Sequence, residues 1–503
     1  MARRPNILRL NPDDNVVIAL RALRAGELLD GSAFCAREPI ANGHKIAFAS
    51  IVAGEVVLKN GQVIGEATVN IAAGEHVHTH NLAVSQARRS ARIDARSRQE
   101  SPRTFQGYRR PGGRAGTRNY LGVLTSVNCS ATVARCIAER AERRGLLERS
   151  ANIDGVVPIT HASGCGMAGS GEGFEILRRT LWGTAANPNF GGVLLVGLGC
   201  EVVQISRLKA DYGLAESETF QTFTIQEMGG TRRAVEEGLE RLAAMVQVVG
   251  AQRRSEIPAS ELVVGLQCGG SDAWSGVTSN PALGEAVDRL VGLGGTAILS
   301  ETPEIYGAEH LLLARAASEE VAERLRERLA WWEGYTARNE ARMDNNPSPG
   351  NKAGGLTTIL EKSLGAVAKG GRSALVEVVQ YAAPIGKRGL VFMDSPGFDP
   401  CSATGQVASG ANLIAFTTGR GSAFGCKPSP SIKLSSNTDV YRRMSEDIDI
   451  DCGGIATGEA TIVGKGEEIL DYFLAVASGE RTASERLGYG GAEFVPWQVG
   501  AVM

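Results

Sequence analysis

Apolar and polar positions follow three different patterns along the chain. Over residues 16–83 the apolar residues come in short runs, at 16–20, 45–52, 55–58 and 63–70. Glycine-containing turns such as Lys59-Asn60-Gly61-Gln62 separate them, which predicts short strands and a small β-rich domain. One helix is expected there, around residues 18–29. Residues 86–107 carry six arginines and several serines with no sustained apolar period, which reads as a connector. After Tyr108, apolar runs of strand length alternate with stretches of helical period: strands at 119–127, 154–160, 191–198 and 219–225, helices at 130–149, 171–185, 202–212 and 232–248. The pattern restarts near residue 255, with strands at 261–267, 296–299, 373–379, 389–393 and 412–417 and one long helix at 310–335. Strands alternating with helices predict parallel sheets covered on both faces. The expected division is a β-rich domain over 1–90, a linker over 91–107, and two Rossmann-like α/β subdomains over 108–255 and 256–503.

Composition narrows the class. With 503 residues, 43% hydrophobic and 21% charged, the chain has ample material for several cores. Fifty-three Lys and Arg against 55 Asp and Glu leave a net charge of −2, which gives nucleic acid or an anionic membrane no electrostatic hold. The N-terminal residues lack the apolar stretch of a signal peptide, and no run of 18 apolar residues occurs, so a cytoplasmic protein is expected. Nine cysteines, an odd number, fit thiols or metal ligands better than a disulfide framework. The 63 glycines far exceed the usual share of about 7%, which points to tight turns and close approaches of backbone to ligand.

In parallel α/β sheets ligands bind beyond the carboxyl ends of the strands. Here the strands end in Ser126-Val127-Asn128-Cys129, His161-Ala162-Ser163-Gly164-Cys165, Gly199-Cys200-Glu201, Gln267-Cys268-Gly269-Gly270-Ser271-Asp272 and Ser300-Glu301. Cys129, Cys165, Cys200 and Cys268, with His161, are therefore expected to share a metal or iron–sulfur site, although their spacing matches neither a zinc ribbon nor a ferredoxin run. In the β-rich domain, His76, His78 and His80 alternate, so an extended strand would line them on one face for metal, substrate or proton transfer. Two loops pair a cation with a stiff or glycine-rich backbone suited to a carboxylate, one around Asn351 and Lys352 and one around Arg420; Ser271 is a further binding candidate. Gly164 to Gly169 fits G-x-G-x-x-G, but no acidic residue follows about 20 positions on, and no P-loop motif occurs.

The stretches HVHTHN, GYRRPGGRAGTRNYLGVLTSVNCS, GCGMAG, NPNFGGVLLVGLGCE, QCGGSDAWSGVTSNPA, NPSPGNKAGGL and FTTGRGSAFGCKPSPSIK resemble the altronate dehydratase/galactarate dehydratase family over almost the whole chain. The resemblance implies an N-terminal β-clip domain of the SAF type followed by a dehydratase body. It also implies a hydro-lyase that takes a hexonate or hexarate to a 2-keto-3-deoxy acid and depends on Fe2+ or a similar ion such as Mn2+ or Mg2+. HVHTHN is similar to the altronate branch. Related proteins remove sulfite from sulfolactate, which leaves that reaction as an alternative beside a sugar-acid-binding protein without turnover. A small-molecule sugar acid is the expected partner, and a homo-oligomer the expected state.

Dehydration next to a carboxylate needs a cation to stabilise the enediolate, for which a metal, Lys352 and Arg420 are candidates, and a proton donor for the departing hydroxyl. Acid and base work is expected of His76, His78, His80 or His161, with Asp272 and Glu201 as further candidates.

Overall fold

The computed structural model describes residues 5–85, 95, 99–148 and 150–500. Two small antiparallel sheets form the N-terminal domain. One is ordered Ile7–Leu8, Val16–Ala19, Lys45–Ala47, His76–Val77; the other Val56–Lys59, Gln62–Ala67, Leu82–Ala83. The Asn60-Gly61 turn closes the second hairpin with positive φ at both residues (53° and 70°), the twist that suits a two-residue connection. Val16, Ile51, Val57, Ile64 and Val77 fill its core. The helix expected around residues 18–29 is absent. Gly26 turns the chain at φ 79°, Leu23 bridges Ile40 and Leu28 bridges Cys35, so Val17, Leu23, Leu29 and Ile46 form a second small core instead.

Two wholly parallel sheets build the body. The first is ordered Gly155–Ile159, Tyr120–Thr125, Phe190–Gly197, Phe220–Thr224. Helices Ala131–Arg143 and Thr231–Gly250 pack on one face through Val133, Ile137, Leu239 and Leu242. The second has seven strands, ordered Leu375–Val379, Leu390–Met393, Thr296–Ser300, Val263–Cys268, Leu413–Thr418, Ser431–Ser435, Ile450–Asp451. Helices Ser279–Gly292 and Ile462–Ala477 cover one face with Leu283, Val287, Ile469 and Phe473; helix Asp399–Ala408 lies on the other. This last helix also meets Glu172–Ala185 of the first body, where Gly183 has no Cβ to collide with the Ala408 carbonyl (an added one would sit 2.2 Å away). Truncating a fully buried leucine such as Leu283 would cost about 2–5 kcal/mol.

The connector expected over 91–107 ends in a strand: Thr104–Arg109 pairs antiparallel with Ser255–Pro258 and with Ala115–Gly116, so the passage between the bodies is itself a small sheet. Residues 86–94 and 96–98 lie outside the described residues. The single helix expected at 310–335 is two, His310–Leu313 and Glu319–Arg338, because Ala316 bridges to Leu375 and the Ser318 hydroxyl caps a fresh start at the Val321 amide. In the seven-stranded sheet the chain leaves Val263–Cys268 toward one side for Thr296–Ser300 and later returns on the other as Leu413–Thr418. Such a switch point opens a crevice at the strand ends.

Candidate active site

The histidine row starts in a strand pairing. Ile46 pairs with His76 in the antiparallel register, which carries His44 to the same edge. His44 Nδ1 lies 2.9 Å from His76 Nε2, and the His44 and His78 rings stack with centroids 5.3 Å apart. The strand stops at Val77, so His78 and His80 are not held by β geometry. Asn81 shapes the turn instead: its Oδ1 accepts the His78 amide at 2.9 Å and its Nδ2 donates to the His76 carbonyl at 2.9 Å. His80 stays close, its ring centroid 5.5 Å from that of His76. His78 Nε2 donates to the Lys352 carbonyl at 3.0 Å, which joins the row to the loop of the second body. Burial pushes His76 down to about 3 and His78 down to about 4, with neighbouring imidazoles and Lys45 adding to the effect; burial also lowers His44. These imidazoles are therefore neutral near pH 7 and able to accept a proton.

At the switch point a second polar group gathers. Cys268 ends one strand, and Glu301 and Glu304 follow the next. Their ligand atoms all lie within 4.8 Å of one another, and no other three His, Cys, Asp or Glu do so among the described residues. Lys369 Nζ donates to Cys268 Sγ at 3.2 Å and lies 3.5 Å from Glu301; Lys362 and Asn346 hold Glu304. Burial pushes the Cys268 thiol up to about 11, and burial with Glu304 raises Glu301 well above the carboxylate range and Asp399 up to about 7. Glu301 has left-handed backbone (φ 74°, ψ 68°), and its Oε1 is buried without a hydrogen-bond partner. One thiol and two carboxylates, one of them with an unsatisfied oxygen, suit a divalent ion such as iron.

Two cavities border these groups. One, about 480 Å³, is lined by His44, Asp272, Gly354, Arg420 and Asn437. The other, about 310 Å³, is lined by Cys268, Glu304, Asn351, Lys362, Asp399 and Arg420. Arg420 borders both. Asp272 is buried and accepts from Ser275, Ser436 and Asn437, so its carboxylate braces the loops rather than standing free. Asn351 caps its helix with Ser348 and donates to the Ser271 carbonyl at 2.8 Å. Lys352 contributes its carbonyl to His78, and its side chain lines neither cavity.

The remaining candidates sit on the first body. His161 is buried and neutral, lowered to about 4 by burial. Its Nε2 donates to the Thr125 carbonyl at 3.1 Å and its Nδ1 accepts the Ser163 amide at 3.2 Å, so both nitrogens are spent on backbone. Glu201 bridges two loops, accepting from Ser126 Oγ and the Gly199 amide, each at 2.6 Å. Cys129, Cys165 and Cys200 are exposed, on a different sheet from buried Cys268. The four thiols thus do not converge on one ion: two parallel sheets carry them, each with its own strand-end edge. Sequence reading missed His44, Glu304, Lys362, Lys369 and Asp399.

Family models match throughout: an altronate/galactarate dehydratase SAF domain over residues 5–85, the second domain of D-galactarate dehydratase/altronate hydrolase over 107–250, and a D-galactarate/altronate dehydratase C-terminal domain over 259–502. The chain is 34% identical to an altronate dehydratase of Bacillus subtilis, over 96% of this chain and 97% of that one. It is 39% identical to a galactarate dehydratase (L-threo-forming) of Escherichia coli, over 96% and 94%. It is also 34% identical to the β subunit of a (2R)-sulfolactate sulfo-lyase of Chromohalobacter salexigens, over 78% of this chain and 97% of that subunit. With an SAF domain ahead of two parallel-sheet bodies and likeness along nearly its whole length, the chain belongs to the altronate/galactarate dehydratase family, enzymes of the lyase class.

Proposed function

We propose that the chain dehydrates a hexonate or hexarate sugar acid to its 2-keto-3-deoxy product through an enediolate. The observation that carries this reading is Arg420, shared by a cavity that holds a neutral imidazole and a cavity that holds Cys268, Glu304 and Asp399. An α-carboxylate bound to the guanidinium would place its C2 hydrogen between a base on one side and acidic groups on the other.

His44 is the one imidazole of the row lining that space, and we assign it the C2 proton, which it would take once its contact with the Ala353 carbonyl gives way. His76, 2.9 Å behind it, orients the ring and shares the proton; His78 is fixed by the Lys352 carbonyl. Asp399, which lines the Cys268 cavity together with Arg420, would protonate the departing 3-hydroxyl. Asn351 and Arg420 hold the acid. Cys268, Glu301 and Glu304 would hold a divalent ion, Fe2+ or in its place Mn2+ or Mg2+, and that ion supplies Lewis-acid stabilisation of the enediolate.

Relatives named for altronate and for galactarate both cover the chain, so the test is a panel. Purified protein given altronate, galactarate, other aldonates and (2R)-sulfolactate should form a 2-keto-3-deoxy acid from a sugar acid. Sulfite release from sulfolactate without sugar-acid turnover would move the assignment to the sulfo-lyase reaction, which the likeness to the sulfo-lyase subunit keeps as second reading. Ligand-induced stabilisation with no product from any of them would mark a binding protein.

A further inference from the structure

We infer that Cys129, Cys165 and Cys200 form a three-thiolate site for an iron–sulfur cluster, distinct from the Cys268 group. Cysteine without a chemical role is among the most buried residue types, and Cys401, Cys426 and Cys452 are buried here. These three are exposed, each on the loop that leaves the carboxyl end of a neighbouring strand in the order Gly155–Ile159, Tyr120–Thr125, Phe190–Gly197.

Hydrogen bonds tie the three loops to one another. The Asn128 amide, beside Cys129, donates to the Ser163 carbonyl at 2.9 Å. The Gly164 carbonyl, beside Cys165, accepts the Val202 amide at 3.0 Å. The Glu201 carboxylate, beside Cys200, clamps Ser126 to Gly199 at 2.6 Å on each side. Gly164 makes the approach possible: at φ 97°, a Cβ there would sit 2.3 Å from the Ser126 carbonyl oxygen. The carboxylate of Glu201, buried and fully used, thus has a positioning role at the thiol edge.

A single tetrahedral ion asks for thiolates closer together than these three stand. Thiolates on one tetrahedral ion, each about 2.3 Å from it, stand about 4 Å apart. These three are not a set within 4.8 Å of one another. In a cluster each thiolate binds a different iron, so the sulfurs stand further apart, and three of them leave one iron of a four-iron cluster without protein sulfur. Beside the edge, Asn128 and His161 line a cavity of about 550 Å³ whose wall includes Phe398, a residue that also lines the Cys268 cavity.

The test is independent of substrate. Full-length protein is purified anaerobically, reconstituted with ferrous iron and sulfide, desalted, and analysed for iron, acid-labile sulfide and the visible absorption that bleaches on reduction. Iron with matching sulfide is expected. Cys129→Ala, Cys165→Ala and Cys200→Ala should each lose most of the sulfide and the absorption, whereas Cys35→Ala and Cys268→Ser retain both. Parent-like melting of the variants without reconstitution separates ligand loss from misfolding. The inference falls if no sulfide is retained, or if Cys268→Ser abolishes the absorption while the three alanine variants keep it.

Discussion

His44 Nδ1 and His76 Nε2 meet at 2.9 Å across an antiparallel pair of strands, although 32 residues separate them in the chain. Of the two, His44 lines the Arg420 cavity, so in the proposed reaction it would reach the substrate and His76 would position it from behind. His44→Gln should lower kcat by about 10²–10⁴ with unchanged melting, the usual worth of a general base or acid. His76→Gln should cost less in kcat and displace the acid limb of the pH profile. A His44→Gln enzyme within about threefold of the parent would remove His44 from the proton path.

The depressed pKa values set the shape of that profile. With His76 at about 3 and His78 at about 4, both held down first by burial, neither gains a proton until the pH is well below neutral. The assigned base, His44, is likewise held below the ordinary histidine value by burial, so kcat/KM should stay level as pH falls through about 6.5 and drop only below it. An acid limb centred near pH 6.5 that disappears in His44→Gln would show a row more open to water than its burial indicates.

Much of this was legible in the order of residues. The parallel sheets were, because short apolar runs alternate with stretches of helical period, and so were the strand-end thiols, because a strand's carboxyl end is where polar residues interrupt such runs. His44 was not: it lies alone in its segment, and only the Ile46–His76 register brings it to the row. Glu304, Lys362, Lys369 and Asp399 were not either, since they come from a turn and from helices whose pattern shows only which face is apolar. The separation of Cys268 from the other thiols depends on strand order in two sheets, which local sequence does not encode.

The histidine row stays in place through a buried ionic tether. Glu361 accepts from Lys45 at 2.9 Å and Lys59 at 2.7 Å, both from the N-terminal domain, and from Thr357 in its own body. Burial alone would raise this carboxyl, but Lys45 and Lys59 outweigh it and hold Glu361 well below the usual carboxylate range. Its folded pKa is thus beneath the unfolded value of about 4.3, so the stabilisation is complete above that pH and is lost as pH falls through the folded value. Glu361→Gln leaves two buried ammonium groups without a counter-charge and should cost about 3–5 kcal/mol near neutral pH. Denaturant melts of parent and variant at about pH 7 and about pH 3 should show the gap narrowing in acid; an equal gap would make the contact steric.

Arg420 is the anion anchor in this reading, and its planar fork matters beyond its charge. Arg420→Lys keeps the cation and should still lower kcat/KM at least about tenfold, mostly through KM, and Arg420→Ala more. A hexarate carries a second carboxylate and a hexonate does not, so a loss confined to hexarates would place the guanidinium at the distal end of the substrate instead of beside the reacting carbons.

The Cys268, Glu301 and Glu304 group makes the last claim checkable without substrate. Lys362 and Lys369 supply positive charge beside a thiol and two carboxylates, yet Glu301 Oε1 is left without a partner, so an added cation has an oxygen waiting for it. Protein stripped with a chelator should lose turnover and regain it with ferrous iron and a thiol under anaerobic conditions. Glu301→Gln, which keeps the shape and removes the group that would ionise on binding a cation, should weaken binding of added Mn2+, read by its paramagnetic relaxation of water protons, by about 10–100-fold while leaving the fold intact. Cys268→Ser should weaken iron more than Mn2+, because a thiolate favours the softer ion. Full activity after exhaustive metal removal, or unchanged Mn2+ affinity in Glu301→Gln, would take the divalent ion away from these three residues and leave Lys362 and Lys369 as the charges that stabilise the enediolate.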